Sequence, residues 1–337
     1  MSLPFVRMMG RILLGITVLW ASPARAATVI VYVSEDQVFS EPVLKDFERE
    51  TGIEVKAVYD TEETKSTGVM NRLIAETNNP QADVYWANEP VRAEVLKQRG
   101  IAVPYFSPNA KEISAAFKDP DGNWTGFSAR ARVLIVHKRL ADKPDSILAY
   151  TDPRWKGRAA IANPLFGTTT TQVAALFVAW GDERARNFMQ DIKENGIKLT
   201  TSNGESADLV ATGEVDFGLV DSDDAVNRMR QGKPIEMICP DQATGQLGCL
   251  MLPNAALLLK GAPHPLEAKR LVDYLLSRET ERKLAFADCA QIPLHPGVET
   301  PSDVPKIEKL KVMPTNYAAI ARKLQDIQPY LKAWVGY

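Results

Sequence analysis

Short apolar, β-branched runs alternate with amphipathic helical stretches along this chain, and they do so in two separate blocks. Thr28-Val29-Ile30-Val31-Tyr32-Val33 reads as a buried strand. Residues 42–49 follow as a helix with Val43, Leu44 and Phe47 on one face, and Gly52 ends it. Residues 53–59 alternate as a strand, 68–76 read as a helix, 82–86 as a short apolar strand, and 90–100 as a helix closed by Gly100. The second block opens at Arg132-Val133-Leu134-Ile135-Val136. Further strands are predicted over 159–162, 197–200, 217–220 and 255–259, and helices over 170–180, 182–195, 206–212, 225–231, 265–277, 279–287 and 316–337. This order predicts an α/β fold built on mainly parallel sheets flanked by helices. A chain of 337 residues has room for about two such domains. Two α/β blocks in one chain suggest two lobes around a cleft.

Composition narrows the function. The formal charge is -2, from 40 Lys+Arg against 42 Asp+Glu, and apolar residues make up 45%. Such a chain is neither disordered nor a general nucleic-acid binder. The N-terminus carries Arg7 and Arg11, then an apolar stretch over 12–20, then Ala24-Arg25-Ala26. That is the layout of a secretory signal, with cleavage predicted after Ala26. Removal of residues 1–26 takes three arginines and no acid, which moves the charge to -5. The expected product is exported, periplasmic and soluble. Export places Cys239, Cys249 and Cys289 in an oxidising compartment. Cys239 and Cys249 flank a turn, so a short-loop bridge between them is the favoured pairing, although spacing alone does not fix connectivity.

In open α/β sheets, ligands bind beyond the carboxyl ends of strands. Those positions here are polar. Ser34-Glu35-Asp36-Gln37 follows the first strand, and Asn88 and Glu89 follow the third. Asn163 to Thr171, Thr200 to Glu205 and Asp221-Ser222-Asp223-Asp224 follow three later ones. Gly167-Thr168-Thr169-Thr170-Thr171 opens a helix and suits an anion, or else its threonines cap the helix. Asp221, Asp223 and Asp224 suit a hard cation or the N–H and O–H groups of an organic solute; the alternative is favourable charge at a helix start. Arg130 and Arg132 share one face of a strand, and one of them is a candidate cleft cation, or else an interlobe ion pair. His137, His264 and His295 are scattered, with no zinc motif, and the chain has neither a nucleophile elbow nor a dinucleotide fingerprint.

These features come together in a resemblance. Val31-Tyr32-Val33-Ser34, Ala82-Asp83-Val84-Tyr85-Trp86 with Glu89, and Gly126-Phe127-Ser128-Ala129-Arg130-Ala131-Arg132-Val133 carry its first half. Gly213-Glu214-Val215-Asp216-Phe217-Gly218-Leu219-Val220, Gly261-Ala262-Pro263-His264-Pro265 and Gln291-Ile292-Pro293-Leu294 carry its second. The chain resembles the periplasmic solute-binding proteins of bacterial ABC importers, in the ferric-ion-binding branch of the two-lobed type II fold.

The resemblance implies a monomeric, non-enzymatic capture protein that closes on its solute and delivers it to a membrane permease. It implies one lobe from residues 27–128 and 254–304, a second from 129–253 and 305–337, and crossovers near Ser128 and Pro253. It aligns Glu89 with a carboxylate ligand, Gly167, Thr168 and Thr169 with an anion loop, Asn203 with a second anion contact, and Arg130 or Arg132 with a cleft arginine. The family's iron-ligating tyrosine pair falls on Asp223 and Asp224, and Asp221 stands where the family has asparagine. Asp36 and Gln37 complete the expected ligand-binding set; Glu89, Asp223 and Asp224 are the metal-ligating set if the ligand is a metal. Two ligand classes follow: ferric iron with a synergistic anion, or an organic phosphate or phosphonate. The latter would lay its anionic end on 167–171 and an amine or hydroxyl end on 221–224. Alternatives of a different kind are an exported phosphoesterase using Glu89 as a base, or the ligand reader of a sensor.

Overall fold

In the computed structural model, residues 27–60 and 67–336 are described. The signal segment lies outside them. Chain order is β1 (Thr28–Val33), α1 (Gln37–Thr51), β2 (Glu54–Tyr59), α2 (Thr67–Ala75), β3 (Val84–Ala87), α3 (Pro90–Gln98), β4 (Ala102–Val103) and β5 (Thr125–His137). Then come β6 (Ala159–Ala162), α4 (Gly167–Trp180), α5 (Asp182–Glu194), β7 (Lys198–Thr200), α6 (Asn203–Thr212), β8 (Phe217–Asp221), α7 (Ser222–Arg230) and β9 (Ile235–Ile238). β10 (Met251–Leu259), α8 (Pro265–Leu275), α9 (Arg278–Phe286) and α10 (Tyr317–Val335) complete the chain. Among the described residues no helix is long and apolar enough to cross a membrane.

The strands form two mixed sheets. The first runs β2-β1-β3-β10-β5 with β4 beside β10; the second runs β5-β8-β6-β7 with β9 beside β5. In the first, β10 alone opposes its neighbours' direction; in the second, β5 does. Among the described strands four pairings are parallel and five antiparallel, so the sheets are mixed rather than mainly parallel as expected: the one reversed strand in each sits among several neighbours. Every residue of β3 and β10 is buried, as is all of β5 but its last residue. Strands covered by helices on both faces take on such unbroken burial. α10 packs against α4 and also against α3.

β5 is much longer than the 132–136 expected. Its early half pairs with β10 and its late half with β8 and β9, so one strand serves both sheets. Gly126 lies where a Cβ would meet the Phe117 carbonyl oxygen at 2.7 Å, so only glycine lets β5 start this close to its neighbour. Between the halves, the β5–β10 register skips Ser128: Pro253 pairs with Ala129 and Asn254 with Phe127. Ser128 has φ +38°, uncommon for a residue with a side chain, and it forms a bulge.

A buried carboxylate anchors that bulge. Glu281 on α9 is fully buried and accepts from Ser128 N (2.8 Å), Leu294 N (2.9 Å), His295 N (2.9 Å) and His295 Nδ1 (2.8 Å). His295 Nε2 faces the Asn109 carbonyl at 2.7 Å. Both ring nitrogens face oxygens, an arrangement that favours the protonated ring.

The three cysteines are free thiols, so the expected Cys239–Cys249 bridge is absent from the structure. The two thiols are close enough to perturb each other's ionisation, and Cys249 Sγ donates to the Lys311 carbonyl at 3.7 Å. The intervening loop is closed without a bridge by Gly248 N–H donating to Asp241 O at 3.0 Å.

His295 gives the fold a pH signature. Burial works against its charge, but the bonds to Glu281 and Asn109 outweigh it and lift the ring above its ordinary 6.5. Its contribution is complete below about pH 6.5 and is lost as pH rises through the folded-state value. Urea midpoints of the wild type and His295→Gln should therefore differ most at pH 6 and draw closer as pH rises. A gap that stays constant with pH overturns this assignment.

Candidate functional site

The strand ends singled out by their polarity open onto one cleft of about 820 Å³. The first sheet supplies Glu35, Asp36, Asn88 and Glu89; the second supplies Asn163, Gly167, Thr168, Thr169, Asn203, Asp221, Asp223 and Asp224. Arg130, from the strand shared by both sheets, also lines it.

Strand register builds the centre. Antiparallel pairing of β5 with β8 sets Arg132 directly opposite Asp221, so their side chains share a face. Arg132 Nη1 donates to Asp221 Oδ1 at 2.7 Å, and Arg130 Nη1 lies 3.6 Å from Asp221 Oδ2. Arg132 also donates to Thr168 Oγ1 (3.0 Å), Thr169 Oγ1 (3.2 Å) and the Leu219 carbonyl (3.2 Å). Thr168 donates in turn to Asp221 Oδ2 at 2.9 Å and accepts from Asn203 Nδ2 at 3.0 Å. Burial alone would raise the Asp221 carboxyl, but Arg132 and Arg130 hold it below the ordinary range.

This closed network revises two expectations. Arg132 is 1% exposed, is absent from the cleft wall and is engaged by Asp221, Thr168 and Thr169. It is a strut, and Arg130 is the arginine that reaches the cleft. Thr168 and Thr169 do not cap α4 with their hydroxyls. They lie inside the helix, whose N-cap is Phe166, and no side chain caps its first turn. The hydroxyls serve Arg132 and Asn203, and the α4 N-terminus is turned to the cleft without a capping group.

Gln37 does not reach the cleft: it is exposed on the first turn of α1, donating to Glu41 Oε2 at 2.9 Å. Helix α1 begins at Gln37, five residues before the expected start, and carries Pro42 inside it. That turns Gln37 outward along the helix surface. Glu89 stands apart from the aspartates, accepting from Thr171 Oγ1 at 2.6 Å with Arg92 Nε 3.6 Å away. The carboxylates that gather within 4.8 Å are Asp221, Asp223 and Asp224. No tyrosine is among the cleft-lining residues described.

Several cleft residues escaped sequence reading, among them Thr67, Gly68 and Asn71 of α2. Arg92, on α3, is three residues from Glu89, and Arg228, on α7, is four from Asp224. Those helical spacings were available signals. Phe166 lines the cleft while 67% exposed, and no periodicity marks it.

Several buried polar atoms at the cleft have no hydrogen-bond partner: Arg130 Nε, Arg92 Nε and Asp223 Oδ1. Buried groups of this kind are costly unless something else satisfies them. The Asp223 carboxyl is pushed up to about 6 by burial, with Asp221 adding to the rise and Arg130 opposing it. Asp224 is raised as well, by burial and then by Asp223 and Asp221. Its side chain is still 23% exposed, so water tempers that rise. Desolvation opposes charge on Arg130, but Asp221, Glu35, Asp223 and Glu89 hold its guanidinium protonated.

Residues 43–314 match the bacterial extracellular solute-binding proteins. The chain belongs to that family. The solute-binding protein is 27% identical to the major ferric iron-binding protein of Neisseria meningitidis over 314 residues, covering 90% of this chain and 91% of that protein. It is 24% identical over 331 residues to a periplasmic protein of Salmonella typhimurium named for binding 2-aminoethylphosphonate, covering 96% and 92%. The periplasmic binding protein AfuA of Actinobacillus pleuropneumoniae, solved with fructose-6-phosphate bound, superposes with a TM-score of 0.76 at 24% identity, covering 91% and 99%. The fold is thus the two-lobed periplasmic binding fold, and the protein is the solute-binding component expected of an importer.

Asp221 is the neutralising charge for two buried arginines. Asp221→Asn leaves Arg132 without its carboxylate partner and Arg130 with only Glu35, Asp223 and Glu89 nearby, and should cost about 3 kcal/mol or more in a denaturant melt. A loss below about 1 kcal/mol would show that the network does not hold the second sheet together.

Proposed function

We propose that this protein captures a small organic phosphonate or phosphate ester outside the cytoplasm, without turning it over, and hands it to the permease of an ABC importer. One observation carries the reading: the cleft sets unsatisfied groups of opposite charge within one enclosure. The uncapped α4 N-terminus and Arg130 Nε suit an anionic head. Asp223 Oδ1 and the crowded Asp224 suit an ammonium or hydroxyl. A cleft of about 820 Å³ with exposed Phe166 on its wall suits a carbon skeleton between them. Asp36, Glu89, Asn203, Gly167, Thr168 and Thr169 would shape its walls.

Ferric iron is the second reading, favoured by the three clustered carboxylates and by the Neisseria relative's name. Asp221 is committed to two arginines, which leaves Asp223 and Asp224 as the available oxygen donors. Two carboxylates with no phenolate form a weak set for a hard trivalent ion.

The lobes of this reading comprise residues 27–128 with 254–304, and 129–253 with 305–337. The sharing of β5 by both sheets supports a division there. A solute touching both lobes favours the closed state by its differential affinity. Residues 1–26 would direct export and be removed.

Calorimetry with 2-aminoethylphosphonate in excess chelator should show binding. Asp223→Asn should weaken it by about 2 kcal/mol, near thirtyfold in Kd. Because protons compete with the ammonium for the Asp223–Asp224 pair, affinity should rise from pH 5 to pH 7. Absence of heat from phosphonates and phosphate esters, with iron retained on purification and lost in Asp223→Asn, would establish the ferric reading instead.

A further inference from the structure

Arg92 breaks three local rules at once. Helix α3 opens at Pro90, which puts Arg92 inside the first turn. A cation there opposes the partial positive charge of the helix N-terminus. The residue is 8% exposed, so its guanidinium has largely left bulk water. Among the described residues Arg92 Nε has no hydrogen-bond partner, and its ion-pair contact, Glu89 Oε1, stands 3.6 Å away. That separation is too long for a hydrogen bond. Glu89 is directed elsewhere, with Oε2 accepting from Thr171 Oγ1 at 2.6 Å. It balances the charge of Arg92 without taking up its donors. Local rules broken together in this way mark functional positions.

The other arginines of the cleft wall are better satisfied. Arg228 donates to Asp208 Oδ1 at 3.0 Å and to the Gly204 carbonyl at 3.2 Å. Arg130 donates to the Asn88 carbonyl and faces Asp221. Arg92 lines the cleft along with Thr67, Gly68 and Asn71 of α2, the helix packed against α3. These helices lie in the part of the chain that builds the first sheet, whereas α4 follows β6 of the second.

We infer that Arg92 binds a carboxylate of the solute, a second anionic group apart from the phosphonate or phosphate head, which makes the preferred solute a phosphono- or phospho-amino acid. The inference rests on the phosphonate and phosphate-ester reading above and narrows it. An arginine presents Nε and one Nη as a planar fork, and a carboxylate matches it with two parallel hydrogen bonds. In that reading the head already lies at the α4 N-terminus and Arg130 Nε, and the ammonium at Asp223 and Asp224. Arg92 adds a third site, again cationic, to the same cleft. An amino acid whose side chain ends in a phosphonate or phosphate carries three groups of the matching signs. Glu89 beside the fork weakens attraction by charge alone, so hydrogen-bond geometry decides which anion is held.

Calorimetry in excess chelator at pH 7 compares two pairs of compounds, each differing by one carboxylate on the carbon that bears nitrogen. One pair is 2-aminoethylphosphonate and 2-amino-3-phosphonopropionate; the other is phosphoethanolamine and O-phosphoserine, with both enantiomers of each amino acid. Within a pair that binds, the wild type should hold the carboxylated member tighter by about tenfold or more. Arg92→Gln should abolish that preference. Glu89→Gln combined with Arg92→Gln removes the ion pair as a unit, should abolish it equally, and serves if the single variant fails to fold. A structural role would leave the ratio alone, because a loosened cleft weakens both members of a pair together. Equal affinities within each pair in the wild type, or a preference that survives in the folded variants, would overturn the inference and leave the phosphonate and phosphate-ester reading standing. Heat from none of these compounds counts against that reading itself, and the carboxylate site falls with it.

Discussion

The second lobe is organised around a charge pair that register makes unavoidable. Pairing β5 with β8 puts Arg132 opposite Asp221 where neither meets bulk water. Two arginines and one carboxylate out of solvent would be costly singly, and together they are tolerable because they pair and find further hydrogen-bond partners, although Arg130 Nε and Arg132 Nε have none. Thr168, Thr169 and Asn203 supply that bonding. The start of α4 is thereby fixed against the end of β8, and the walls of the cleft stand where these contacts put them. The same saturation explains why the site presents helix N–H groups and Arg130 to a solute, with the threonine hydroxyls already spent.

What is left unsatisfied in the cleft is as informative as what is paired. A buried carboxylate oxygen and a buried guanidinium N–H without protein partners carry desolvation costs. A bound solute that pairs both recovers those costs, so much of the binding free energy comes from groups the fold has already desolvated. A bare metal ion would satisfy the carboxylates and ignore Arg130 and the α4 terminus. A molecule with charge at both ends uses all of them.

The sequence exposed the α/β alternation because buried strands need continuous apolar runs and their helices need one apolar face. It exposed the cleft because polar residues after successive strands have little reason to recur there otherwise. What it concealed depends on partners remote in sequence. The first half of β5, Gly126-Phe127-Ser128-Ala129-Arg130, contains an arginine and a glycine and does not read as a buried strand; only Asp221 and the backbone near Phe117 make those residues tolerable there. The threonine run was ambiguous between cap and anion loop because the Thr168 and Thr169 hydroxyls belong to an arginine on another strand, while the helix start itself lines the cleft. Gln37 was misplaced because the helix tolerates Pro42 inside it and starts earlier. The spacing of Cys239 and Cys249 located two thiols that meet, but proximity is not a covalent bond.

Placing a cleft residue in the strand that joins two lobes has a thermodynamic consequence. In a binder whose hinge is remote from its solute, closure must be driven by contacts that bridge the gap after it narrows. Here the guanidinium of Arg130 already touches the Asn88 carbonyl on one side and approaches Asp221 on the other before any solute arrives. A solute anion at its free Nε competes with neither contact and stiffens both by fixing the guanidinium plane. A state with the two sides farther apart would gain less from the same contact. Differential affinity of this kind is what a ligand needs to shift a two-state equilibrium. It is concentrated in one residue that contacts both sides of the cleft.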